Sequence, residues 1–241
     1  MKCIISCEHA SNRVPASFSH IFKGKEKVLA SHQAYDRGAA ELARRLAKEF
    51  HAFLHLGSIS RLLIDLNRSP TNRKTLYTQY SKKLPQGERE LLLQKYYFPY
   101  REGVERAVAG IIARGRPVLH ISIHTFAPVK SGKIRKADIG LLYNPARLIE
   151  KQICSMLAAT LQENAEFLRV RRNYPYLGKT DGFTSFLRRK HRAKHYAGIE
   201  IEINQAFVAS DGKKYRQVTG TLAKGIRHIL RYDDFSRITL R

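Results

Sequence analysis

Four groups of polar residues follow strand-like segments and could together form a reaction centre. They cover residues 8–12, 65–68, 124–126 and 200–205. In an α/β sheet with parallel strands, the carboxyl ends of the strands meet at one edge, where sites collect. One such group alone would fit ordinary solvent-facing polarity. Four groups at strand ends favour a functional site.

His9 and His124 are the imidazoles best placed to hold a metal ion. Each follows a short apolar strand and precedes a predicted loop, whereas the other histidines lie in helical or basic segments. A hydrolytic zinc needs three imidazole or carboxylate ligands and an open position for water, whose pKa it lowers. A single histidine at such a place is more often structural. The hypothesis therefore depends on the matched pair.

Glu200 and Glu202 lie on one face of a predicted strand, and the opposite face carries Ile199, Ile201 and Ile203. Burying two carboxylates in such a strand is costly unless a metal or an arginine compensates their charge. A carboxylate beside a metal-activated water could act as a general base. An edge strand with one wet face is the alternative.

Asn67 and Arg68 follow the mostly apolar residues 61–66, which we predict as a strand that ends in a turn-prone segment. A guanidinium presents a planar pair of donors that suits a carboxylate. Arg68 is therefore a candidate for binding an anionic substrate. The same turn chemistry would occur in any loop.

The segments between these groups alternate between strand and helix patterns. Strands are predicted over residues 3–7, 61–66, 118–123, 139–143, 167–170 and 199–203. Helices are predicted over residues 36–50, 88–114 with a break or kink at Pro99 and Gly103, 148–161 and 214–231. This alternation predicts an α/β three-layer sandwich with a mixed, mainly parallel central sheet. No repeat or linker divides the chain, so we expect a single domain over residues 1–241.

The chain carries a large excess of positive charge, with 44 Lys and Arg against 20 Asp and Glu and a formal net charge of +24. Such an excess favours anionic substrates, nucleic acid or membrane surfaces. The basic residues are spread along the chain, and no nucleic-acid-binding motif accompanies them. No transmembrane-length apolar run or signal-peptide pattern occurs, so we expect a cytoplasmic protein. The three cysteines lack metal-type spacing and are expected to be buried thiols.

Eight ordered motifs resemble those of the N-formylglutamate amidohydrolase family. They are CEHASNRVP (7–15), DRGA (36–39), SRLLIDLNR (60–68), ISIHTF (121–126), DIGLLYN (138–144), NYPY (173–176), DGFT (181–184) and EIEINQ (200–205). The resemblance implies zinc-dependent hydrolysis of the amide bond of an N-acyl amino acid such as N-formylglutamate, in amino-acid metabolism. It also implies a fold related to that of zinc carboxypeptidases and aspartoacylase.

The resemblance carries roles to individual residues. His9 and His124 would be zinc ligands, Glu202 the general base, and Glu200 a supporting residue. At the position of the carboxypeptidase glutamate ligand the chain has Asn12, which is a poor zinc ligand.

An insertion separates His9 from the next predicted helix, which begins at Asp36. We therefore infer Asp36 as the third ligand, with Asn12 as a weak ligand or a neighbouring contact of the site. The alternative is that Asp36 only caps its helix.

The family's substrate contacts carry over in the same way. Asn67 and Arg68 match the Asn-Arg pair that contacts the substrate carboxylate, and Arg61 could polarise the scissile carbonyl. A basic loop around Arg188 would assist Arg68. The predicted partner is a small anionic N-acyl amino acid. Two alternatives stay open: a zinc carboxypeptidase or peptide amidase, and a nucleic-acid-binding protein with an inactive hydrolase fold.

Overall fold

A six-stranded mixed sheet forms the centre of the computed structural model, which describes residues 1–208 and 212–238. Its strands are β1 (Lys2–Cys7), β2 (Phe53–Leu56), β3 (Val118–Phe126), β6 (Ile139–Leu142), β7 (Val170–Arg172) and β8 (Tyr196–Asn204), and a separate hairpin comprises β4 (Val129–Lys130) and β5 (Lys133–Ile134). The strand order is β2-β1-β3-β8-β6-β7. The first four of these strands are mutually parallel, and β6 pairs antiparallel with β8 and parallel with β7. The mainly parallel mixed sheet confirms the predicted fold class.

Helices cover both faces of this sheet. They are α1 (Glu26–Leu29), α2 (Ala39–Glu49), α3 (Arg73–Leu76), α4 (Gln86–Leu92), α5 (Phe98–Ala113), α6 (Leu148–Asn164), α7 (Phe183–Lys190), α8 (Gln205–Val208) and α9 (Lys213–Leu230). Short 3-10 turns occur at Ala16–Phe22 and Phe235–Arg237. Helices α2, α6 and α9 pack in one hydrophobic core, and α5 and α7 pack in the other. Within the described residues, no helix has the length and apolar character needed to cross a bilayer.

The central strands present two different faces. One face is apolar and joins the core with α2, α6 and α9; it includes Cys3, Ile5, Cys7, Leu119, Ile121, Ile123, Ile199, Ile201 and Ile203. The opposite face is polar yet equally buried; it includes Ser6, His120, Ser122, His124, Glu200 and Glu202. Strand β8 is central and buried along its whole length, so the alternative of a wet edge strand is wrong. Burying so many polar groups requires that they satisfy one another or serve a site.

Residues 61–66 do not form the predicted strand. They make turns, with the N–H of Leu63 donating to the carbonyl of Ser60 and the N–H of Asp65 to that of Leu76. Their apolar side chains are buried in the core beside α5 and α7. A short apolar run indicates burial and does not by itself distinguish a strand from a packed loop. The edge strand β2 lies earlier, at Phe53–Leu56.

The predicted kinked helix over residues 88–114 is interrupted once. A π-helical segment at Leu93–Tyr97 separates α4 from α5, and Pro99 falls in the first turn of α5, where its missing N–H costs little. Gly103 does not break α5. It permits close packing, because a Cβ added there would lie 2.9 Å from Cε1 of His55.

Arg188, which we expected in a substrate-binding loop, lies in α7 and is buried. Its Nε donates to Oε1 of Glu150 at 3.0 Å, and its two Nη atoms donate to the carbonyls of Gly178 and Gly198, each at 2.6 Å. The prediction of a substrate contact is therefore wrong. Arg188 joins α7 to α6 and β8, since Glu150 belongs to α6 and Gly198 to β8.

Replacing Glu150 by alanine should lower the free energy of unfolding by about 3–5 kcal/mol, because Arg188 would remain buried without a carboxylate. Urea denaturation measures this change. The matched control is Glu102→Ala, which removes an exposed pair with Arg106 and should cost about 1 kcal/mol or less. An Arg188→Gln variant with wild-type stability and a raised KM would contradict this structural role.

Candidate metal centre and active site

Four separate segments bring the chemistry-bearing residues together at the carboxyl edge of the sheet. His9 directly follows β1, and His124 lies near the end of β3, in register with Glu202 on the neighbouring β8. Asp36 comes from the loop before α2. Its backbone N–H donates to the carbonyl of His9 at 2.9 Å, which holds this loop against the end of β1.

His9, Asp36 and His124 form a compact buried group. One potential ligand atom from each lies within 4.8 Å of the others, and the three residues are only 2–3% exposed. Oδ2 of Asp36 lies 3.3 Å from Nδ1 of His9 and 2.9 Å from Nδ1 of His124. The structure thus brings together the three residues that the sequence suggested as ligands.

A second carboxylate faces the other nitrogen of each imidazole. Nε2 of His9 lies 2.7 Å from Oδ1 of Asp65, and Nε2 of His124 lies 2.9 Å from Oε2 of Glu8. Carboxylates in this position favour the tautomer that carries its proton on Nε2 and fix the orientation of the ring. Both Nδ1 lone pairs then point toward Asp36.

The chemistry of this donor set fits a metal ion. Two imidazole lone pairs and a carboxylate oxygen converge on one buried point, and such an arrangement is repulsive unless positive charge lies between them. Two histidines and one aspartate are ligand types that zinc accepts, with a fourth position left for water or substrate. His9, Asp36 and His124 could therefore hold a divalent cation.

The ionisation of the group leads to the same requirement for positive charge. Burial opposes charge on His124, but Asp36 and Glu8, one at each ring nitrogen, raise its pKa well above the ordinary value. Burial likewise opposes charge on Asp36, yet the neighbouring His9, His124 and Arg61 hold its pKa well below the usual range. The carboxylates thus favour positive charge at this place, either as a protonated imidazole of His124 or as a bound cation.

Glu202 lies beside the group with one oxygen free. It lines the same cavity as His9, Asp36 and His124, and its Oε2 is buried without a hydrogen-bond partner among the described residues. Burial raises the pKa of Glu202 to about 7. A buried carboxylate with a free oxygen can take up and release a proton in a reaction near neutral pH.

Arg61 reaches the cavity from the loop after β2. Its Nη1 donates to Oδ1 of Asp36 at 3.0 Å, and its Nη2 lies 3.8 Å from Oδ2 of Asp65. Its side chain is partly exposed and lines the cavity beside Glu202. These contacts orient a guanidinium that can still donate to a bound molecule.

Asn67 and Arg68 line the same cavity, but they differ in how far their polar atoms are already engaged in hydrogen bonds within the protein. Oδ1 of Asn67 accepts the N–H of Phe183 at 2.7 Å, so this side chain anchors the first turn of α7. One Nη of Arg68 donates to the carbonyl of Asp181 at 2.7 Å, and about a third of its side chain stays exposed. Arg68 is the freer of the two to bind an anionic group.

Glu200 lines the cavity too, and its Oε1 accepts the hydroxyl of Thr184 at 2.6 Å. This bond ties Glu200 to α7, to which Thr184 belongs.

The structure places the side chains of Asn12 and Asp36 in different surroundings. Asn12 is exposed, and its Nδ2 donates to the carbonyl of Leu29 at 3.0 Å, outside the cavity. Its expected place in the site is therefore wrong. The N-cap of α2 is Gly38, at φ +81°, with no side-chain cap bond, so Asp36 does not cap the helix. The side chain of Asp36 is directed to the two histidines and Arg61 instead.

The sequence reasoning assigned no role to Glu8, although it lies next to His9. Its Oε1 accepts the hydroxyls of Ser6 and Tyr100, each at 2.8 Å, and its Oε2 accepts that of Ser122 at 2.5 Å. These bonds fix the carboxylate that faces His124. The only signal in the sequence is the strand alternation that puts Ser6 and Glu8 on one face.

Comparison with known proteins identifies a family and two similar folds. The sequence matches the N-formylglutamate amidohydrolase family over residues 1–209. The structure resembles that of a gene product from Agrobacterium tumefaciens, with 29% identity, a TM-score of 0.79, and coverage of 95% of this chain and 92% of that one. It also resembles an N-formylglutamate amidohydrolase from Ralstonia eutropha, with 18% identity, a TM-score of 0.74, and coverage of 97% and 94% respectively. No curated protein matches the sequence.

The matched region contains every residue of the buried group, its carboxylate neighbours and Glu202. Because the match spans most of the sequence, the chain belongs to the N-formylglutamate amidohydrolase family.

Proposed function

We propose that this protein is a zinc-dependent amidohydrolase that cleaves the amide bond of an N-acyl amino acid. Family membership favours an N-formyl amino acid such as N-formylglutamate as substrate. The observation that carries the proposal is the convergence of His9, Asp36 and His124 on one point, beside the free carboxylate oxygen of Glu202. Three metal ligands and a nearby general base are the groups that metal-assisted hydrolysis requires.

A divalent cation held by His9, Asp36 and His124 supplies Lewis-acid activation of water and of the scissile carbonyl. Glu202 acts as the general base: it takes a proton from the attacking water. It returns that proton to the leaving nitrogen as the carbon–nitrogen bond breaks. The products are a carboxylic acid and a free amino acid.

Two arginines complete the proposed site. Arg61, oriented by Asp36, donates to the carbonyl oxygen as negative charge develops there. Arg68 binds the carboxylate of the amino-acid part through its exposed guanidinium. Glu200 supports the wall of the cavity next to Glu202. The nucleic-acid-binding alternative receives no comparable support, since it would leave this buried set of ligands and carboxylates unexplained.

Replacing Asp36 by alanine should weaken zinc binding by more than about 100-fold, because loss of a ligand exceeds the cost of losing one of its outer hydrogen-bond partners. Metal analysis after dialysis against a graded chelator measures the affinity. The matched control is Asn12→Ala, which should bind zinc like the wild type because Asn12 lies outside the cavity. Full zinc occupancy in Asp36→Ala would show that another group is the third ligand.

The zinc-loaded wild type should hydrolyse at least one member of a panel of N-formyl amino acids, N-acetyl amino acids and dipeptides. Glu202→Gln should lower kcat/KM by about 10²–10⁴-fold while zinc stays bound, because the amide cannot accept the proton from water. Release of the free amine measures turnover.

The turnover assay and the zinc content of Glu202→Gln test different parts of the proposal. Zinc-loaded protein without turnover on any substrate of the panel would remove the proposed function. Loss of zinc from Glu202→Gln would mean that Glu202 is a ligand and not the base.

A further inference from the structure

A second and larger cavity opens beside the proposed metal centre. It has a volume of about 420 Å³, compared with about 180 Å³ for the inner cavity that contains the two histidines. The two cavities adjoin, because both are lined by Asp36, Arg61, Thr125, Lys130 and Tyr176. Arg61 therefore lies at the passage between an inner and an outer cavity.

The outer cavity exceeds what an N-formyl substrate needs. A formyl group carries only hydrogen on its carbonyl carbon, so it would leave the whole outer cavity to water. A water molecule takes a share of about 30 Å³ in the liquid, and the cavity would therefore hold a sizeable cluster. An outer cavity of this size next to the reacting carbonyl could accommodate an acyl chain longer than formyl.

The lining of the outer cavity is cationic. Arg61, Lys130 and Arg135 contribute to its wall, and among the described residues that line it the only carboxylate is that of Asp36, at the boundary with the inner cavity. Asp36 is already paired with Arg61 and the histidines. The distal part of the cavity thus presents positive charge that favours an anion.

Two of these cations contact aromatic rings: Arg135, which lines only the outer cavity, and Lys130, which lines both cavities. The guanidinium of Arg135 lies 5.2 Å from the centre of the Tyr176 ring and 5.6 Å from that of Phe126, and one of its Nη atoms donates to the Tyr176 hydroxyl at 3.1 Å. Nζ of Lys130 lies 5.4 Å from the Tyr176 ring. Cation–π contacts of this kind orient the charges before a ligand binds.

Arg68 defines the direction in which a substrate would lie. It lines the inner cavity but not the outer one, whereas Arg135 lines the outer cavity but not the inner one. A substrate whose amino-acid carboxylate binds Arg68 places its scissile carbonyl near Asp36 and Arg61. Its acyl chain then extends into the outer cavity, toward Lys130 and Arg135.

We propose that the outer cavity is an acyl subsite for a chain longer than formyl that ends in a carboxylate. The inference rests on the proposed amidohydrolase function and names its substrate class: N-acyl amino acids whose acyl group derives from a dicarboxylic acid. Water adds its oxygen to the acyl carbon, the carbon–nitrogen bond breaks, and the leaving nitrogen gains a proton. The products are a dicarboxylate and a free amino acid.

The test compares two substrates that differ only at the far end of the acyl chain: the N-succinyl and N-succinamoyl derivatives of one amino acid. The first ends in a carboxylate and the second in a neutral amide of nearly the same shape. The wild type should prefer the N-succinyl compound by about tenfold or more in kcat/KM, because charge-assisted hydrogen bonds are roughly twice as strong as neutral ones.

The double variant Lys130→Gln/Arg135→Gln should reduce this preference to about twofold or less, because both cations that contact the Tyr176 ring are removed. Lys133→Gln is the matched control, since Lys133 belongs to the same hairpin but does not line either cavity. It should retain the full preference. Equal rates for the two substrates in the wild type, or a preference that survives in the double variant, would overturn the acyl subsite.

Calorimetric binding of succinate to the zinc-loaded protein separates this inference from the proposed function. We expect about tenfold weaker binding to the double variant than to the wild type and to Lys133→Gln. If no substrate is hydrolysed but this difference is found, the hydrolase proposal fails and the anion subsite stands. If N-formyl amino acids are hydrolysed and succinate binds equally to all three proteins, the function stands and the subsite is refuted.

Discussion

Three carboxylates enclose two buried imidazoles at the carboxyl edge of the sheet, and this concentration of negative charge constrains the surrounding structure. Asp36 faces one nitrogen of each ring, while Asp65 and Glu8 face the others. Without positive charge between them, such a group would be strongly destabilising. The divalent cation that we propose between His9, Asp36 and His124 would supply this positive charge.

The two faces of the central strands have different roles: one packs in the hydrophobic core, and the other carries the polar side chains of the candidate site. Isoleucines on one face of β3 and β8 pack in a hydrophobic core, and this rigid side fixes the register of the two strands. The other face can then hold polar side chains at set positions, since neighbouring hydroxyls satisfy Glu8, and Glu8 in turn orients His124. One buried carboxylate oxygen without a hydrogen-bond partner among the described residues, Oε2 of Glu202, belongs to a residue that lines the cavity, where the proposed reaction needs a proton acceptor.

Much of this arrangement could be predicted from local sequence patterns. The strand alternation around His124 and Glu202 indicates both the sheet and its polar face, because successive side chains of a strand point to opposite faces of the sheet. The inference of Asp36 as a ligand needs the family resemblance, because only that comparison shows Asn12 at the position of a glutamate ligand. Residues 61–66 were mistaken for a strand because an apolar run indicates burial but not backbone conformation.

The sequence around Arg188 gives a wrong prediction for a different physical reason. Its basic neighbours resemble a solvated loop, and its partner Glu150 lies far away in the sequence. Long-range ion pairs and adjoining cavities bring together residues that are distant in the sequence. Local sequence patterns therefore cannot predict them. The cationic outer cavity at Lys130 and Arg135 is of the same kind, because hairpin and aromatic residues from separate segments form it.

We propose that Asp36 joins His9 and His124 into one metal centre through their Nδ1 atoms. Anomalous diffraction at the zinc absorption edge, from crystals of the zinc-loaded protein, tests it most directly. We expect one strong peak at about 2.0–2.2 Å from both Nδ1 atoms and from a carboxylate oxygen of Asp36. A peak that is bound through Nε2, that lies away from Asp36, or that is missing from this position would contradict it.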